Sequence, residues 1–119
     1  MTTLQMRAER SEVWLVRFPF TDLSSTKLRP AVVLAVFGED VVVVGVFSRV
    51  PVRPLRETWV VIEEGEQGFA QTGLAKPSVV KAEKLAIIHR SVLQRRLGRV
   101  SPALMSRIGI ALKKALHLE

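Results

Sequence analysis

Arg29 and Ser48 are the side chains in this sequence whose types and setting suit chemistry on a phosphate. A guanidinium presents a planar fork of donors that matches two phosphate oxygens, and a hydroxyl adds a further donor. Held together on a rigid floor, the two make a plausible phosphate site. They are far apart in sequence, so the fold must bring them together. The stretch between them supplies the means. Ala31–Phe37 and Val41–Phe47 are apolar runs separated by Gly38-Glu39-Asp40, a polar break with the chemistry of a tight turn. A hairpin closes its two open ends on each other, and Arg29 precedes the first run while Ser48 follows the second.

Each run is rich in valine and too short for a typical helix, which predicts a pair of strands. Neither run alternates cleanly, so both faces are expected to be buried, as at the centre of a small barrel. Lys27 lies before the first strand. After the second comes Arg49-Val50-Pro51-Val52-Arg53-Pro54-Leu55-Arg56, a loop stiffened by two prolines and carrying three arginines. A semi-rigid basic loop suits tracking a nucleic-acid backbone; docking of a protein partner and simple solubility are the alternatives.

The totals agree with that setting. At 119 residues the chain reads as one domain, residues 1–119, with a polar and mobile arm over residues 1–11. Lys and Arg number 18 against 11 Asp and Glu, a formal charge of +7, which favours a polyanionic partner, nucleic acid ahead of a membrane surface. The absence of cysteine excludes disulfides, zinc–thiolate sites and thiol nucleophiles. No His-x3-His or His/Asp cluster argues for metal, so no metal or cofactor is expected. MTTLQMRAERSE lacks an apolar signal-peptide core, and Glu39 and Asp40 interrupt the longest apolar region. A cytoplasmic protein without a membrane span is the expectation.

Along the rest of the chain, Glu12–Phe18 alternates as a strand, with Trp14 as a core anchor rather than a base-stacking platform, and Pro19 ends its pairing. Residues 21–27 form a polar loop that is either the rim of a site or a solvated connection. Glu57–Ile62 reads as a strand, and Glu63–Thr72 as a flexible acidic connection. Ser78–Ala82 and Lys84–His89 read as two short strands or one with a kink. Ser91–Leu97 is compatible with a helical turn broken by Gly98. Ser101 and Pro102 are a strong N-cap and first helical position. Leu104, Met105, Ile108, Leu112, Ala115 and Leu116 then form the apolar face of a terminal helix expected to close the open side of the sheet.

In this order the residues resemble the MazF/PemK family of toxin endoribonucleases. The blocks that carry the resemblance are Glu12–Leu23 (EVWLVRFPFTDL), Lys27–Leu34 (KLRPAVVL), Gly73–Leu85 (GLAKPSVVKAEKL) and the segment from Ile88 to Ser101. Together they cover nearly the whole chain from Glu12. The resemblance implies a mainly β fold with short helices, an SH3-like, strongly curved antiparallel sheet or small barrel, and a homodimer. It implies the toxin of a type II toxin–antitoxin pair that cuts single-stranded RNA at short sequences without a metal, held by a cognate acidic antitoxin and binding DNA as the toxin–antitoxin complex. The family places its catalytic arginine before the Pro-Ala-Val-Val-Leu strand, here Arg29, and a threonine or serine at the end of the next strand, here Ser48. Lys27, Arg49, Arg53, Arg56 and Lys76 are the candidate contacts to flanking RNA. Where many relatives continue with a neutral polar residue after that hydroxyl, this chain has Arg49 and Val50, so its RNA sequence preference is its own. Two other readings remain: a family member that has lost catalysis, and a CcdB-like gyrase-binding toxin of the same fold.

Overall fold

The valine runs form the centre of a six-stranded sheet. A computed structural model describes residues 7–17, 27–52 and 55–118. Its strands are β1 (Glu12–Arg17), β2 (Leu28–Phe37), β3 (Asp40–Phe47), β4 (Trp59–Ile62), β5 (Ser78–His89) and β6 (Leu93–Arg99). The helices are α1 (Phe69–Thr72) and α2 (Pro102–Ala115), and a single 3-10 turn spans Arg90–Val92. The strands run in the order β4-β5-β3-β2-β1-β6, and every pairing is antiparallel. β2 and β3 form the expected hairpin, turned at Gly38 with φ 62°, a conformation that glycine adopts without steric cost.

Both faces of this hairpin are buried, as the unbroken valine pattern predicts. On one face Val32, Leu34, Val44, Val46 and Val80 join Leu104, Met105 and Ile108 of α2. On the other, Ala31, Val33, Val41 and Val43 pack with Trp14, Val16, Ile88 and Leu93. Trp14 is 2% exposed and is the core anchor anticipated for it. The expectation that the terminal helix closes a barrel is not met. Among the described residues, β4 and β6 remain the two edges of an open sheet, and α2 packs on one face against β4 and β5. Its buried face is Leu104, Met105, Ile108 and Ala111, while Leu116 lies past the last turn and is exposed. Ser101 caps the helix by accepting a hydrogen bond from the Leu104 N–H at 3.1 Å.

Register shifts bend the sheet. The largest lies in β5: Leu85 pairs with Val44 and Lys81 with Gly45, so residues 82–84 bulge out between them. β5 is thus one strand with a kink. The helical turn expected over Ser91–Leu97 shrinks to Arg90–Val92, because the rest of the segment pairs with the open edge of β1 and buries Leu93 in the second core. Gly98 sits inside β6 instead of breaking a helix. A Cβ there would lie 2.2 Å from the Gln71 carbonyl oxygen, so α1 docks on the strand through a gap that only glycine leaves. That one-turn helix falls within the segment expected to be a flexible connection.

Residues 7–11 are fastened to the sheet: the Ser11 N–H donates to the Val33 carbonyl at 2.8 Å, and the Arg10 guanidinium to the Leu34 carbonyl at 2.6 Å. Nearby, Glu12 is 2% exposed and takes hydrogen bonds from the Glu9 N–H, the Trp14 indole and Arg96 at 2.8, 2.9 and 3.0 Å. Burial pushes its carboxyl up, but those bonds and the Arg96 charge outweigh burial and hold it below the ordinary glutamate value. Glu12 therefore ties β1 to β6 as a buried carboxylate. Phe18, Pro19, residues 20–26 and Arg53 lie outside the described residues.

Candidate functional site

Ahead of the register shift after Val33, odd-numbered residues of β2 point away from α2, so Arg29 rises from the sheet face on the same side as Ala31 and Val33. It is half-buried, and its guanidinium stands 5.5 Å from the centre of the Phe47 ring, the last residue of β3. Ser48 follows Phe47 directly and is exposed. The hairpin thus brings Arg29 to the residue beside Ser48, as its topology requires.

The row does not stop there. Lys81, on β5, pairs in register with Gly45 on one side and Trp59 on the other. Its ammonium lies 4.7 Å from the Phe47 ring and 4.9 Å from the Trp59 ring. Arg56 then stands 5.3 Å from Trp59. Arg29, Phe47, Lys81, Trp59 and Arg56 therefore alternate cation and ring across four strands and into the loop before β4. Such contacts are attractive because the ring face carries the negative end of its quadrupole. The absence of a side chain at Gly45 makes room for Phe47: a Cβ there would come within 3.0 Å of the ring.

One carboxylate is set into this basic row. Glu83, in the β5 bulge, accepts from the Trp59 indole N–H and the Thr58 hydroxyl, each at 2.7 Å, and pairs loosely with Arg56 at 3.5 Å. Burial raises its pKa, but the bonds from Trp59 and Thr58 and the Arg56 charge prevail, so its carboxyl is held below the ordinary range. The bulge aims Glu83 at β4, a use to which β-bulges are often put.

Of the other residues singled out in the sequence, Lys27 and Arg49 are exposed beside the same hairpin ends. Lys76 is exposed just before β5, at the end of the sheet where Val79 pairs with Phe47, and its carbonyl accepts from the Ser78 hydroxyl at 2.9 Å. Arg56 belongs to the row, although held on Trp59 and Glu83 rather than projecting freely. Sequence reasoning missed Phe47, Lys81, Trp59 and Glu83. Phe47 was within reach, since it adjoins Ser48 and shares the face of Arg29. The meeting of Glu57–Ile62 with the Glu83 bulge left no local signal.

Two cavities lie elsewhere, one of about 510 Å³ bordered by Arg7, Glu39 and Arg90, and one of about 590 Å³ bordered by Gln71, Arg99 and Pro102, and among the described residues the row borders neither. An extended basic strip suits a polymer better than an enclosed small molecule. Among the described residues no group of three or more His, Asp or Glu could hold a metal ion, and no helix is long and apolar enough to cross a membrane.

Residues 9–116 match the family model described as the PemK-like, MazF-like toxin of type II toxin–antitoxin systems. The fold is shared with a mycobacterial endoribonuclease solved in complex with its cognate antitoxin, at 24% identity and a TM-score of 0.71 over 95% of this chain and 98% of that one. It is shared with the Mycobacterium tuberculosis toxin MazF-mt6 at 22% identity and 0.70, over 91% and 98% of the two chains. MazF from Deinococcus radiodurans gives 19% and 0.71, over 96% and 100%. None of the curated proteins matches the chain.

Proposed function

The chain belongs to the PemK-like, MazF-like family of type II toxins, and from that premise we propose that it is an endoribonuclease that cuts single-stranded RNA at short sequences and so inhibits translation and growth. The observation that carries this reading is the Arg29 guanidinium seated over Phe47, next to Ser48, at the mouth of the central hairpin. A bidentate cation and a hydroxyl at one strand end suit a phosphodiester that gains charge during reaction.

The reaction uses the 2′-hydroxyl of the substrate as nucleophile. Its oxygen gives up its proton to water as it attacks the adjacent phosphorus, the bond from phosphorus to the 5′-oxygen breaks, and that oxygen takes up a proton, from Arg29 or from water, and leaves as a 5′-hydroxyl. The other product is a 2′,3′-cyclic phosphate. Arg29 stabilises the charge on the phosphorane oxygens, and Ser48 donates a hydrogen bond that holds the phosphate against it. An arginine stays protonated up to a pH of about 12, so charge stabilisation is its first role and donation to the leaving oxygen its second. Lys27, Arg49, Arg53 and Lys76 take the flanking phosphates. The protein acts as a homodimer in the cytoplasm and is held inactive by an acidic antitoxin laid along the basic strip.

The test is cleavage of single-stranded RNA with EDTA present, with analysis of the end groups. Removing one preorganised donor lowers such rates by about 10²–10³. Arg29→Ala should fall by at least that much, and Arg29→Lys should recover little because the fork is lost. Ser48→Ala should be slowed comparably, while Ser48→Thr retains substantial activity. Folded Arg29→Ala cutting at the parent rate would place the chemistry elsewhere.

A further inference from the structure

The two tryptophans of this chain are used in opposite ways. Trp14 is sealed in the second core, whereas among the described residues neither Trp59 nor Phe47 joins either apolar cluster. We propose that Trp59 is the floor of a nucleobase-stacking subsite for single-stranded RNA, oriented by Glu83 and covered by Arg56. The proposal rests on the ribonuclease reading and names a residue by which that site selects its substrate.

Three features carry it. First, the half-buried indole is fixed in rotation: its N–H is anchored on Glu83 at 2.7 Å, and Thr58 fixes the same carboxylate from the side. A ring whose polar edge is already satisfied offers its faces, and every base has a face to stack on it. Second, the groups near those faces are cations. Lys81 sits between Trp59 and Phe47, and Arg56 stands 5.3 Å from Trp59 with its side chain 68% exposed. The 3.5 Å ion pair of Arg56 with Glu83 is of the exposed kind that holds a side chain loosely, so the guanidinium can lift and settle over a base. Third, the row has direction. From β2 to β4 it crosses three inter-strand spacings, about 14 Å. A strand whose scissile phosphate rests on Arg29 and which crosses the sheet along the cations therefore brings a neighbouring nucleotide to Trp59. Rings alternating with positive charge are the makings of a single-strand binding surface.

The full-length protein is titrated with single-stranded RNA of randomised sequence made with 2′-fluoro riboses, which lack the attacking hydroxyl and so are not cut, while tryptophan emission is followed. Stacking quenches Trp59, and Trp14 is too deeply buried to respond. An abasic strand of the same length, which keeps the phosphates, should bind without quenching. Trp59→Phe keeps a ring but removes the fluorophore; it should lose the quench and bind within about threefold of its parent. Trp59→Leu should weaken RNA binding about 5- to 150-fold, the loss that stacking on one aromatic carries, and leave the abasic strand unaffected. The quench needs no change at Trp59, so the test survives if the leucine variant does not fold. The proposal is overturned if RNA leaves the emission unchanged, if the abasic strand quenches equally, or if a polyglutamate peptide quenches where RNA does not, which would make Trp59 a protein-docking residue. Cleavage of unmodified RNA without quenching removes the subsite alone; quenching without such cleavage removes the ribonuclease reading alone.

Discussion

Removing the Glu12 carboxylate should cost this fold a large share of its stability, and the amount follows from who is left without a partner. In Glu12→Ala the Trp14 indole N–H loses its acceptor inside a core where Trp14 is 2% exposed. Such an orphaned donor costs about 1–3 kcal/mol. The Glu9 N–H loses a bond in a half-buried position, and the missing methylene and carboxyl leave a void at the β1–β6 seam, for about 1–2 kcal/mol more. Arg96 adds little, since its side chain is 61% exposed and returns to water. The total is about 2–5 kcal/mol. Glu12→Gln keeps an acceptor for the indole and should cost about 1–2 kcal/mol. Urea unfolding at fixed protein concentration measures both, with a midpoint shift for Glu12→Ala of about 1–3 M. The two variants also separate by pH. The folded-state pKa of Glu12 is depressed, so its ionisation stabilises the fold above the unfolded glutamate value, and that stability fades as pH falls through the folded value. The parent should therefore lose stability on acidification more steeply than Glu12→Gln. A Glu12→Ala midpoint within about 0.3 M of the parent, equivalent to ~0.5 kcal/mol, would show that the buried network contributes nothing.

Gly98→Ala should destabilise by about 3 kcal/mol or more, because the new Cβ would sit 2.2 Å from the Gln71 carbonyl oxygen; thermal melts would show it, and a parent-like melting temperature would mean that α1 does not dock there. Sedimentation at micromolar concentration should show two chains per particle, with a persistent monomer counting against the homodimer. Binding of the acidic antitoxin should weaken steeply with added salt, given the +7 charge of the chain; an affinity indifferent to ionic strength would remove the electrostatic part of that reading.

The sequence by itself determined the hairpin and what it joins. Two valine runs around Gly38-Glu39-Asp40 allow few arrangements other than paired strands, and pairing them carries Arg29 toward Ser48 whatever the rest of the chain does. The Ser101-Pro102 start of α2 was equally legible, because a cap is a local hydrogen bond. The edges of the sheet were not. Leu93–Arg99 is strand because β1 offers it an unpaired edge, a fact recorded nowhere in its own residues. Gly98 reads locally as a breaker, and only the approach of α1 shows it to be a place where no side chain fits. The same holds for the row beyond Phe47. Lys81 and Trp59 face each other because β4 and β5 pair in one register, and Glu83 reaches the indole because β5 bulges at residues 82–84. Local propensity decides where strands exist; which side chains become neighbours across them depends on register, and register is a property of the whole sheet.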